Sequence, residues 1–211
     1  MWLAGYVHNP EIAISTAVIV QQIDEIFYSI AYGFSQSTAY LVAEYIGTGN
    51  VECAKRAAKI GALLANCMIV VFIVMLMVTR EYIAHIWTYD EEVIQEVASL
   101  IYVYIIAILV DTNKQLMMGI YRGLGFQRAS AVVIFCSYML ICLPLLMILL
   151  FGFGYRESTT TGLYVIWSTL TFGNALSLCL ITLWMLCGFA DWNKFIIEAN
   201  ARLGEAHKHF S

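Results

Sequence analysis

Charge is placed along this chain so that few folds remain open to it. No Asp, Glu, Lys or Arg occurs from Ile60 to Thr79, from Ala129 to Tyr155 or from Gly162 to Ala190. Only Asp111 and Lys114 interrupt the run from Val97 to Arg122, and Ile12 to Ala43 is apolar apart from Gln21, Gln22, Asp24, Glu25, Gln36 and small hydroxyl residues. A helix needs about 20 mostly apolar residues to cross the hydrocarbon of a bilayer, so the spacing predicts five membrane-spanning helices. Barrel strands would alternate in polarity over about ten residues, whereas these runs are apolar on every face. The chain is 61% apolar and 12% charged, against about 45–50% and 25% in soluble domains. The expected fold is all-α: a polytopic transmembrane helix bundle of about five spans over residues 1–190, followed by a polar cytoplasmic tail over 191–211.

The links are short, as helix hairpins require. They run from Gly47-Thr-Gly-Asn50 to Lys59, from Arg80 to Glu92, from Gly123 to Arg128 and from Gly154 to Thr161. Eleven basic against fifteen acidic residues offer no basic face to nucleic acid. Of the six cysteines, Cys67, Cys136, Cys142, Cys179 and Cys187 lie in or beside apolar runs and only Cys53 sits in a polar link, where they read as small apolar residues rather than a disulfide framework or zinc site. Basic residues favour the cytoplasmic side. Lys55, Arg56, Lys59, Arg122, Arg128, Lys194, Arg202 and Lys208 fall in the first and third links and the tail, against Arg80 and Arg156 in the others. The tail is therefore expected in the cytoplasm, and Asp90-Glu91-Glu92 outside. The opening MWLAGYVHNP lacks the features of a signal peptide, and an external start without one leads us to expect further spans before it.

Asp111 stands nineteen residues after Glu92 and eleven before Arg122, deep within its span. A carboxylate at that depth costs about 2.5–3.5 kcal/mol on insertion scales, and such groups face a wet cavity or a partner. It is the leading candidate for binding a cation. Structurally, Asp111 could instead pair with Lys114 at i+3, although Lys114 is nearer the cytoplasmic end and could reach the interface by snorkelling, which weakens the pairing. Asp24 and Glu25, with Gln21 and Gln22, form a second acidic group, lining either a cavity or a bend in the chain. Tyr104 and Asn113 flank Asp111. Aromatics beside an acid suit organic cations through cation–π attraction of about 0.5–2 kcal/mol, while Tyr102 and Trp87 suit the interfacial belt. His207 and His209 read as solvated tail. Pro144 should kink the fourth span, and Gly33, Gly47, Gly49, Gly119, Gly123 and Gly125 allow close approach and tight turns. No phosphate loop, metalloprotease motif or nucleophile–base set occurs, so an enzyme is not expected.

Five segments in register resemble the multidrug and toxic compound extrusion (MATE) family of secondary antiporters. They are Gly33-Phe-Ser35 with Gly47-Thr-Gly-Asn50 and Ala54-Lys-Arg-Ala-Ala-Lys59; Arg122-Gly-Leu-Gly-Phe-Gln127; Leu143-Pro-Leu145; Gly162-Leu-Tyr164; and Asp191-Trp192. The resemblance covers nearly the whole chain and implies spans eight to twelve of twelve, a C-terminal lobe whose N-terminal lobe is absent. It implies proton- or sodium-coupled export of small organic cations or xenobiotics from a plasma, vacuolar or other organellar membrane, without a cofactor. Asp111 falls where eukaryotic members carry an acid tied to cation exchange, and Gln22 falls where some animal members carry glutamate. Leu41, Glu44 and Ala31-Tyr32 depart from the family pattern. On this footing cation and substrate binding is expected at Asp111, Asn113, Tyr104, Asp24, Glu25 and Gln22. The main rival is a transport-inactive, truncated paralogue acting as a membrane interaction or regulatory protein. A further rival is a channel, with Asp111 supplied to a pore ring by several copies.

Overall fold

A computed structural model describes residues 2–188 together with residue 197. Among the described residues there are five long helices and no strand. They are α1 (Pro10–Gly47), α2 (Val51–Thr79), α3 (Glu91–Gly123), α4 (Gln127–Gly152) and α5 (Thr159–Gly188). Short 3-10 turns precede α1 and sit in the α2–α3 and α4–α5 links.

Local chemistry sets where the helices begin. Pro10 opens α1, where its missing N–H is no loss. The Asn50 side chain accepts from the Cys53 N–H at 3.2 Å to cap α2, and Asp90 accepts from the Glu92 N–H at 3.0 Å to cap α3. Glu91 and Glu92 in the first turn of α3 and Arg122 in its last turn suit the helix dipole. These caps start α2 and α3 nine and six residues before the apolar runs that announce them. A helix can carry charge in its first turns outside the hydrocarbon.

Two turns close the hairpins α1–α2 and α3–α4 in the same way. In the first, the Asn50 N–H reaches back to the Tyr45 carbonyl at 2.8 Å; in the second, the Phe126 N–H reaches Tyr121 at 2.8 Å. Each places a glycine at positive φ, Gly49 at 78° and Gly125 at 81°, a conformation that a side chain resists. The chain thus makes one hairpin closure twice, 76 residues apart.

α3 is the central helix, packed on α1, α2 and α5. Its contact with α1 is set by small residues. A Cβ on Gly119 would come within 2.4 Å of the Ser35 carbonyl oxygen, and one on Gly123 within 2.6 Å of that of Ala39. The two backbones therefore approach over a one-turn repeat of glycine, as membrane helices do. Above this seam Val97, Leu100, Ile101, Val20 and Ile23 form the main apolar core. Below it Val42, Ile46, Ala54, Ala58, Ile120 and Leu124 form a second. α2 presents Leu63, Leu64, Val70, Val71, Val74 and Val78 outward, an apolar outside with polar groups between the helices.

The alternatives that the sequence left open for α1 are decided by its helix. α1 is one unbroken helix through Asp24 and Glu25, so the acids stand within a helix and not at a break. Four helices, α2 to α5, are long and apolar enough to cross a membrane by length and composition; α1 has the length, but its glutamines and acids dilute its hydropathy. Pro144 does not end α4. The helix widens to π-type turns over Cys136–Cys142 and Ile148–Gly152, with ordinary α turns between, which absorb the proline's missing donor.

Candidate functional site

Between α1, α3, α4 and α5 lies a cavity of about 220 Å³. α1 contributes Gln21, Asp24 and Tyr28; α3 contributes Ala107 and Asp111; α4 contributes Tyr138; α5 contributes Trp167, Leu170, Thr171 and Asn174. Two carboxylates from different helices thus face one space at mid-helix depth, with three aromatic rings around it. An apolar helix bundle tolerates such acids where water, a cation or a protein partner meets them.

Among the described residues, each acid has one hydrogen-bond or ion-pair partner. Tyr104 is 1% exposed and its hydroxyl donates to Asp24 Oδ1 at 2.9 Å. The ring is fixed by edge-on packing against Trp167 and Phe27, with centroids 5.8 and 6.2 Å away. Asp111 Oδ1 lies 2.6 Å from Lys114 Nζ. The same ammonium donates to Asn174 Oδ1 at 2.5 Å and sits 5.8 Å from the centre of the Tyr138 ring. The Tyr138 hydroxyl donates to that Asn174 oxygen as well, so both its lone pairs are used. The indole N–H of Trp167 is buried and has no acceptor among the described residues.

Of the residues anticipated from sequence, the structure gathers Asp24, Tyr104 and Asp111. Gln22 and Glu25 are exposed and lie outside the cavity lining; consecutive residues on a helix are turned about 100° apart. Asn113 also faces elsewhere. It exchanges hydrogen bonds with Asn66 of α2 at 3.1 and 3.2 Å, while each amide also donates to a carbonyl of its own helix at 2.8 Å. It therefore joins α2 to α3. Lys114 does not snorkel: it is 7% exposed and held inward by three groups. Sequence reasoning passed over Tyr138, Trp167 and Asn174, although an amide in the charge-free run of α5 was a signal that could have found the last. Tyr102 lies half exposed beneath the Arg80 guanidinium at 5.1 Å, which suits an interfacial position. His207 and His209 fall outside the described residues.

Toward the C-terminal ends of α1 and α3 a polar clasp ties the two helices together. Ser35 Oγ donates to the Gln115 carbonyl at 2.5 Å and accepts from the Arg122 guanidinium at 3.0 Å, which stacks over Tyr32 at 5.4 Å. Two of the five motifs that suggested the family, Gly33-Phe-Ser35 and the Arg122 turn, meet here.

The comparisons with known proteins agree with this architecture. The chain is 27% identical over 203 residues to protein DETOXIFICATION 9 of Arabidopsis thaliana, covering 96% of this chain and 40% of that protein. It is 27% identical over 150 residues to human multidrug and toxin extrusion protein 1, covering 71% of this chain and 25% of that one. It thus spans well under half the length of these relatives. Superposition on the crystal structure of the eukaryotic MATE transporter AtDTX14 gives a TM-score of 0.83 at 22% identity, over 95% of this chain and 43% of that one. The family model named MatE matches residues 1–148. On these grounds the chain is an integral membrane protein that belongs to the MatE family.

Proposed function

We propose that this chain forms the C-terminal lobe of a secondary active antiporter that exports small organic cations or xenobiotics in exchange for protons or sodium. The observation that carries the reading is the single cavity faced by both Asp24 and Asp111. The carboxylates supply the charge that a cation seeks, and the faces of Tyr28, Tyr138 and Trp167 supply the apolar and cation–π contact that suits an organic one. A proton or sodium ion drawn to the same acids competes with the substrate, and that competition couples the two fluxes.

Alternating access needs a second body against which this one rocks, and coverage of 25–40% of the relatives' lengths fits one lobe of two. The π-type turns of α4 beside Tyr138 supply a helix wall that can change its winding. The distribution of Lys and Arg supports a cytoplasmic tail.

The test is ion-driven uptake of tetraethylammonium into vesicles by the transporter that carries this chain. Asp24→Asn and Asp111→Asn, each confirmed at normal membrane abundance, are expected to abolish exchange. Undiminished exchange in both variants would remove the cavity from the mechanism.

A further inference from the structure

One of the two acids that line the cavity, Asp111, is already met by a cation of the protein's own, Lys114, which is not itself a lining residue. Lys114 Nζ is met by a carboxylate oxygen at 2.6 Å, an amide oxygen at 2.5 Å and a tyrosine ring face at 5.8 Å. These are the groups a primary organic ammonium would require. Asp24 is different: its hydrogen bond comes from the phenol of Tyr104, and among the described residues it forms no ion pair with a basic side chain.

We propose that Lys114 is a built-in counter-ion that neutralises one of the cavity's two acids and thereby restricts the cavity to singly charged cations, which Asp24 receives. The proposal rests on the reading of the cavity as a cation site and specifies which cations it takes. Asp24 and Asp111 are the charged groups that line it. The tyrosines that face these acids, Tyr28 from α1, Tyr104 from α3 and Tyr138 from α4, are neutral, and α5 presents Trp167, Thr171 and Asn174. Glu25, beside Asp24 on α1, is exposed and outside the lining. With Asp111 matched by Lys114, one negative charge remains. A monocation closes that balance, whereas a dication brings a positive charge with no partner into an apolar surround, where an unpaired charge is strongly disfavoured. A proton on Asp24 closes the balance equally well, so one proton exchanges for one singly charged substrate.

Lys114 cannot yield its place to a second cation without leaving its stem in hydrocarbon. Its pairing with Asp111 is also local to one helix, three residues apart. Removing one partner of such a pair exposes the other's charge, but replacing both with neutral groups of similar size is well tolerated. That property supplies the decisive variant.

The 211-residue chain in lipid nanodiscs is titrated calorimetrically with propylammonium and with propane-1,3-diammonium at one pH and ionic strength. The unaltered chain is expected to bind the monocation more tightly, and Asp24→Asn to lose both. Lys114→Met is expected to shift the preference toward the dication by about tenfold or more. Asp111→Asn combined with Lys114→Met, which restores the single negative charge, is expected to bind propylammonium as the unaltered chain does. A combined variant with unchanged thermal unfolding that no longer binds propylammonium would overturn the proposal and make Asp111 the receiving group. An unchanged preference in Lys114→Met would overturn it too. Failure of the unaltered chain to bind either amine would instead refute the cation cavity itself.

Discussion

Single polar side chains between these helices are held in pairs, and the pairing decides which of them can be replaced. Asn66 and Asn113 satisfy one another across α2 and α3. Asn113→Leu would leave the Asn66 amide facing an apolar side chain. Interhelical hydrogen bonds in membranes are worth about 0.6–2 kcal/mol, so the thermal midpoint of the purified chain should fall by an amount of that order. The double variant with Asn66→Leu should recover most of the loss, because no orphaned amide remains. A midpoint unmoved by Asn113→Leu would show that the pair contributes nothing. The acids were legible in the sequence because a carboxylate inside an uncharged run contradicts its surroundings. Their directions were not. Asp24 and Glu25 are neighbours in sequence, yet one enters the cavity and the other does not, since the rotation of α1 about its axis is fixed by packing against α3. Lys114 was misjudged for a similar reason: its distance from the membrane surface suggested escape, while Asn174 and Tyr138, remote in sequence, hold it in place.

Helices pair here through backbone approach, and two glycines with opposite environments test this. Gly119 faces Ser35 with no room for a methyl group. Gly119→Ala should push α1 from α3, break the hydrogen bond from Ser35 to Gln115, and destabilise the chain by about 1–3 kcal/mol, the usual range for overpacking. Gly33 meets nothing within 4 Å, so Gly33→Ala should stabilise α1 by about 0.5–1 kcal/mol through helix propensity alone. Opposite shifts of the thermal midpoint are the expected result, and equal shifts would refute the argument. The existence and order of all five helices could be read from long runs with few or no charges. Their starts could not, since α2 and α3 begin with charged turns beyond the apolar stretch. The π-type turns of α4 were also hidden. Pro144 pointed to a kink, but nothing in the sequence pointed to the widened turns on either side of it.

At the scale of the molecule, the helices enclose polar groups and turn leucine, isoleucine, valine and methionine outward, the arrangement that a hydrocarbon solvent rewards. In the proposed orientation, read from the basic links, the α1–α2 turn lies in the cytoplasm and the α2–α3 link outside. With native cysteines replaced, Glu91→Cys should react with a membrane-impermeant maleimide on intact cells, and Lys59→Cys only after the cells are opened. The reverse pattern would invert the topology. Bundle and hairpin order followed from the spacing of charges, and coverage of 25–40% of the relatives' length agrees with the part of a longer protein that the resemblance implied. The cavity was not anticipated, because it is assembled from four helices of which each supplies one to four residues. The ion pair in α3 has a bearing on how such a bundle is made. Asp111 and Lys114 lie on one helix, whereas Asn174 follows 60 residues later. A nascent α3 therefore leaves the translocon with its acid and base already neutralising one another, and membrane insertion need not wait for the last helix to be synthesised.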